Sequence, residues 1–252
     1  MRNLAIILSA YALEEYVQPC LSPWKNFNIP TACASFQFEN FQKQNNKPCL
    51  DELSKFIPDS HIFHNNENIV NEHNARNVPL EFLKQNTNTD TFLILDIDEF
   101  YTEKEIESLL NFINGDDFSW VAWAKINFKN YIFDEKSWID GFCPPRLFKK
   151  TYQNYTIDKF YWDNDILYSN KDGAPVDYKQ LSSIIIPKNN IHVKHMTWLN
   201  NERSKNKIEY QEAHFGACSY NWNPLKNCVE INKDFYKKSG QLPPTIYNDT
   251  YA

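Results

Sequence analysis

A chain of 252 residues that is 42% hydrophobic and 15% aromatic can bury a substantial core, which excludes disorder and suits one large α/β domain. Five glycines form no GxGxxG and no P-loop, and the six cysteines show no CxxC spacing, which speaks against a glycine-rich phosphate cradle and a zinc site. The formal charge of -6 is uneven: residues 1–126 hold 9 Lys/Arg against 18 Asp/Glu, and residues 127–252 hold 17 against 14.

Leu4 to Leu8 predicts a first strand, too short for a signal core, and Ser9-Ala10-Tyr11 a turn. Leu13 to Cys20 opens a helix with Glu14 and Glu15 in its first turn. Thr31 to Phe38 alternates as a second strand, with Glu39 the nearest acid after it. Asp51 to Ile57 predicts a short helix, Ser60 to His64 a short third strand, and the asparagine-rich residues 65–71 a loop. Ala75, Val78, Phe82 and Leu83 recur at helical spacing within Glu72 to Leu83, where Pro79 predicts a kink or a late start. Phe92 to Leu95 is apolar on both faces, as in a buried parallel strand, and Asp96, Asp98 and Glu99 follow at once. Strand alternation puts Asp96 and Asp98 on one side and Glu99 on the other, unless the chain turns there. Two carboxylates so close are tolerable around a divalent cation such as Mg²⁺ or Mn²⁺; the alternative is a solvated acidic turn.

Thr102 to Glu105 predicts a capping box and a helix through Phe112, stopped by Asn114-Gly115-Asp116. Phe118 to Asn127 reads as a strand, and Asn130 to Trp138 as a hairpin or loop. Pro144 and Pro145 force an extended chain before Arg146. Asp163 and Asp165 sit beside Tyr161 and Trp162, where aromatic walls raise a carboxylate pKa toward the range of a general base; the alternative is Asp-Asn-Asp turn chemistry. Ile184 to Pro187 and Ile191 to Val193 predict short strands, and His192 and His195 face opposite ways. Lys188, Lys194, Arg203, Lys205 and Lys207 form a cationic strip running into a polar helix over Asn201 to Phe215. The tail from Leu225 reads as extended wrapping structure. No stretch approaches the ~20 apolar residues of a membrane span, so a soluble cytoplasmic protein is expected.

Leu95-Asp96-Ile97-Asp98-Glu99-Phe100 resembles the Asp-x-Asp-Glu-Phe signature of a family 2-like branch of GT-A glycosyltransferases. The resemblance implies a Rossmann-like, mostly parallel sheet flanked by helices with a C-terminal acceptor-side extension. It implies a single domain over residues 1–252, with a nucleotide-sugar and metal half (1–115) and an acceptor half (116–252). Ser9, Ala10 and Tyr11 would meet the nucleotide, Tyr11 bordering the base or else serving as a core aromatic. Arg76, in Ala75-Arg76-Asn77, would bind the base or phosphate, its alternative being a surface salt bridge. Arg146 would reach a phosphate or form a structural ion pair. Asp96, Asp98 and His195, the latter in His195-Met196-Thr197-Trp198, would hold Mn²⁺ or Mg²⁺ against the diphosphate of a nucleotide sugar, a UDP-sugar first. Asp163 or Asp165 would be the base of an inverting reaction. The Asn/Lys/Ile-rich composition is that of an AT-rich bacterial or phage genome, which makes 5-hydroxymethylpyrimidine in phage DNA the first acceptor and cell-surface polysaccharide or protein the second. A nucleotidyltransferase, or a sugar- or nucleic-acid-binding module without turnover, is the rival.

Overall fold

Six consecutive buried residues, Leu4–Ser9, form β1, and such a run is stable only where both faces of a sheet are covered. The computed structural model describes residues 3–38, 44–132, 134, 136–162, 165–196, 198–199, 201–216 and 218–249. The chain continues through α1 (Glu14–Leu21), β2 (Thr31–Phe38), α2 (Lys47–Leu53), β3 (Ile62–Val70), α3 (Glu72–Asn86), β4 (Thr91–Asp96) and the short β5 (Glu99–Phe100). Then follow α4 (Glu103–Asn114), α5 (Asp116–Ser119), β6 (Trp123–Lys125), β7 (Asn127–Tyr131), β8 (Ser137–Phe142) and β9 (Pro145–Lys149).

The main sheet has seven strands in the order Ser183–Ile185, β6, β9, β4, β1, β2, β3. β1 runs parallel to β2 and β4, β2 to β3, and Ser183–Ile185 to β6; β9 alone is antiparallel to its neighbours. This is the mostly parallel, helix-flanked α/β sheet expected of a GT-A-like chain. Ser9 pairs in register with Asp96, so the carboxyl ends of the two central strands lie side by side. α3 covers the sheet with Leu80 and Leu83 against Ala5, Ile7, Phe92 and Ile94.

The chain divides into two compact units. The first lies within Met1–Glu39, Lys43–Asn127 and Cys143–Val193, the second within Phe128–Phe142 and Lys194–Ala252, for the residues described. The division interleaves the chain. The second unit has its own core of Ile132, Ile139, Trp198, Ile208, Cys218 and Val229. Among the described residues, no helix is long and apolar enough to cross a membrane.

Several local expectations change. The helix expected at Asp51 to Ile57 lies at Lys47–Leu53, started by Pro48 in its first turn. The third strand runs through the asparagine-rich stretch to Val70, because pairing with β2 carries it on past a register shift. Pro79 sits inside a continuous α3. Phe118 belongs to α5 rather than to a strand. The tail contains a hairpin of Tyr220–Asn223 with Cys228–Ile231 and a helix, Lys233–Ser239, where wrapping structure was expected. The capping box at Thr102 and Glu105 forms as read.

Candidate active site

The acid-rich turn begins where β4 ends. Residues 97 and 98 turn, and β5 starts at Glu99, so Glu99 does not continue the strand alternation. The backbone N–H of Ile97 donates to the Ser9 carbonyl at 3.0 Å, which holds the turn against the end of β1. Asp96 is partly buried, with 24% of its side chain exposed, and both of its oxygens are held by arginine. Arg76 donates to Oδ1 at 2.7 Å, and Arg146 donates to Oδ2 at 2.7 Å.

Each arginine is fixed by further partners. Arg76 lies on the sheet-facing side of α3, where Nε donates to Ser9 Oγ at 3.1 Å and Nη2 pairs with Glu72, one helical turn back, at 2.5 Å. Arg146, on β9, also donates to Glu99 Oε1. Arg76 is wholly buried, and Arg146 is 2% exposed. Both guanidinium groups are turned inward, onto carboxyl groups of the chain, and form an internal lattice around Asp96. Asn77, next to Arg76, forms a reciprocal pair with the backbone of Phe160, donating to its carbonyl at 2.9 Å and accepting from its N–H at 2.8 Å. One helix thus ties the acidic turn to the hairpin of Tyr155–Trp162 and Asp165–Ser169.

Glu99 is the site residue that alternation missed; a third acid directly after an Asp-x-Asp, before two aromatics, was its only signal. It is completely buried, and Oε2 has no hydrogen-bond partner. Burial pushes its pKa up to about 8; Asp96 and Asp98 add to the rise, and Arg146 opposes it. A neutral carboxylic acid accepting from Arg146 at Oε1 and holding its proton at Oε2 fits this setting. The raised pKa means that the folded state keeps a proton which the unfolded chain releases near 4.5. This contribution to stability is full below about pH 4.5 and is lost as pH rises through about 8. Glu99→Gln, neutral throughout, should lose less stability than the wild type across that window, by on the order of a few kcal/mol. Urea unfolding at a series of pH values measures this, and parallel profiles for the two proteins would refute it.

The turn after β1 is built without glycine. Ala12 takes a left-handed backbone (φ 49°), and its N–H donates to Asn46 Oδ1 at 2.8 Å. Asn46 in turn donates to Ser35 Oγ at 3.0 Å, on β2. Ser9 and Ala10 are buried; Ser9 serves Arg76, and the Ala10 N–H donates to the Ala34 carbonyl. Tyr11 is buried too, and its hydroxyl donates to the Gln44 carbonyl at 3.1 Å. That bond ties the turn after β1 to the chain at Gln44.

Asp165 accepts from the Tyr178 hydroxyl at 2.8 Å and from Lys179 at 2.5 Å. Tyr161 donates to Asp177 at 2.5 Å. Asp163 and Glu39 lie outside the described residues, as do the side chains of Trp162 and Arg203. His192 and His195 lie on opposite faces of their strand, as alternation requires. His195 belongs to the second unit, buried against the Phe128 ring with Nδ1 2.6 Å from Asn130 Oδ1. Among the described residues, no group of three or more His, Cys, Asp or Glu side chains that could hold a metal ion is found. The cationic strip is also divided. Lys188 is in the first unit. In the second, Lys194 pairs with Asp249, Lys205 with Glu209, and Lys207 lies over the Trp198 ring.

No protein-family model matches the chain, and no curated protein matches it. Among solved structures the chain is similar to a crystal structure of S. aureus TarS 1-349, with 10% identity and a TM-score of 0.44 over 84% of this chain and 72% of that one. A complex of the same TarS fragment with UDP gives 11% identity and a TM-score of 0.44 over 85% and 72%. Its complex with UDP-GlcNAc gives 17% identity and a TM-score of 0.35 over 54% and 39%. Likeness this distant assigns no residue a role.

Proposed function

We propose that this chain is a metal-dependent glycosyltransferase that moves a sugar from a nucleotide sugar, a UDP-sugar first, to an acceptor hydroxyl. The observation that carries the reading is the acid pair at the carboxyl end of a central parallel strand, the position where open α/β sheets bind ligands. A divalent cation fits this donor set in one particular way. Mg²⁺ and Mn²⁺ are commonly held by one or two carboxylates together with substrate phosphates and water. Asp98, half-buried in the turn, would be the direct ligand, with Asp96 behind it at a position fixed by Arg76 and Arg146. A cation bound there would act as Lewis acid toward the departing nucleoside diphosphate. The chain's own part is positional: the arginine lattice keeps the turn in one geometry, so little reorganisation accompanies donor binding.

For an inverting reaction the base is proposed as Asp163 or Asp165. Asp165 would have to leave Lys179 to act. The acceptor has weaker support, since Lys194, Lys205 and Lys207 are engaged within their own unit. The deciding assay incubates the protein with a panel of nucleotide sugars in Mn²⁺, with DNA containing 5-hydroxymethylcytosine in one arm and bacterial polysaccharide in the other. Nucleoside diphosphate release with any donor supports transfer, and a mass gain on one acceptor identifies its class. Binding of sugars without release from any donor would favour the non-catalytic module.

A further inference from the structure

The second unit holds a site that the transfer proposal does not use. Strand Ile246–Asn248 lies antiparallel along β8, with Tyr247 opposite Trp138 and Asn248 opposite Ser137. The Asp249 N–H extends the ladder by donating to the Lys136 carbonyl at 2.8 Å. The Tyr247 ring stacks on Trp138 with centroids 4.7 Å apart and planes 22° apart. Four donors converge on the Asp249 carboxylate. The Tyr131 hydroxyl donates at 2.6 Å and Trp138 Nε1 at 3.1 Å, while Lys129 and Lys194 stand at 3.8 and 3.7 Å. Two lysines against one carboxylate leave the site cationic even when it is filled.

The strand that fills this site is not part of the fold's core. Its residues are absent from the second unit's buried cluster, Ile246 is 44% exposed and Tyr247 42%. It is joined to helix Lys233–Ser239 by Gly240 to Thr245, a stretch with no regular structure in which Leu242 is 91% exposed. Its hold on β8 is a short backbone ladder, one ring stack, one carboxylate and a hydrogen bond that Ser137 Oγ donates to Asn248 Oδ1 at 3.0 Å. This is the recognition pattern of strand addition: main-chain hydrogen bonds give affinity, and alternate side chains give specificity. Removing the strand would leave β8 as a bare edge with a ready carboxylate receptor.

We propose that this edge of the second unit is a docking site for an extended acidic peptide of the form aromatic-x-Asp, held in cis by the chain's own Tyr247-Asn248-Asp249 until a partner peptide replaces it. Tethering gives the resident segment a high effective concentration, so a free peptide competes poorly with the wild type. The probe is a synthetic peptide with the sequence of residues 244–249. In the full-length chain, Asp249→Ala should raise amide exchange at residues 246–248 at least tenfold while Ile132 and Ile139 stay protected, which shows that the unit remains folded. That variant should bind the peptide at least tenfold more tightly than the wild type does. Binding should fall at least tenfold when the peptide's Asp is replaced by Asn, or when Lys129→Met and Lys194→Met are added to the variant. Unchanged protection at 246–248, or equal peptide binding by wild type and variant, would overturn the proposal. A wild-type dimer that is lost on Asp249→Ala would assign the edge to a second copy of the chain and overturn it as well.

Discussion

Asp98→Asn is expected to reduce metal-dependent turnover of the nucleotide sugar by about two to three orders of magnitude, the usual effect of losing one electrostatic contact to the leaving group. The same change should leave folding stability within about 1 kcal/mol of the wild type, because Asp98 is half-buried and a neutral amide of similar shape is tolerated in a turn. Asp96→Asn should differ in kind. It removes the charge on which Arg76 and Arg146 both converge, so stability should fall by about 3 kcal/mol or more together with activity. Measuring turnover in Mn²⁺ and urea midpoints for both variants separates a ligand role from a structural one. Full turnover by Asp98→Asn, or full turnover in chelator, would remove the metal from the proposal.

Arg146→Met carries the largest expected cost in stability, about 3–5 kcal/mol, because it takes one of its two cations from Asp96 and leaves the buried Glu99 carboxyl without its donor. Arg146→Lys should recover little, since a single ammonium cannot reproduce a planar fork that reaches two carboxyl groups. Adding Glu99→Gln to Arg146→Met should change stability little further, because Glu99 without its cation is already a neutral acid. Equilibrium unfolding of the single and double variants gives the coupling, and a loss under about 1 kcal/mol for Arg146→Met would show that the pair does not hold the turn.

Composition and periodicity alone determined a good deal of this protein. The apolar runs at Leu4 and Phe92, the Thr102 capping box and the polar helix from Asn201 are local signals, and the chain follows them because burial and capping act within a few residues. The acid pair at the end of β4 was legible for the same reason. Three decisions belonged to the tertiary structure. Glu99 came back toward Asp96 because the chain turns at residues 97 and 98, a choice no alternation pattern records. Arg76 and Arg146 went inward, since a carboxylate at the end of a buried strand draws its counter-charges from elements 20 and 50 residues away. The tail strand beside Trp138 pairs across more than a hundred residues, where a three-residue run has no sequence signal of its own and only the open edge of β8 gives it a place.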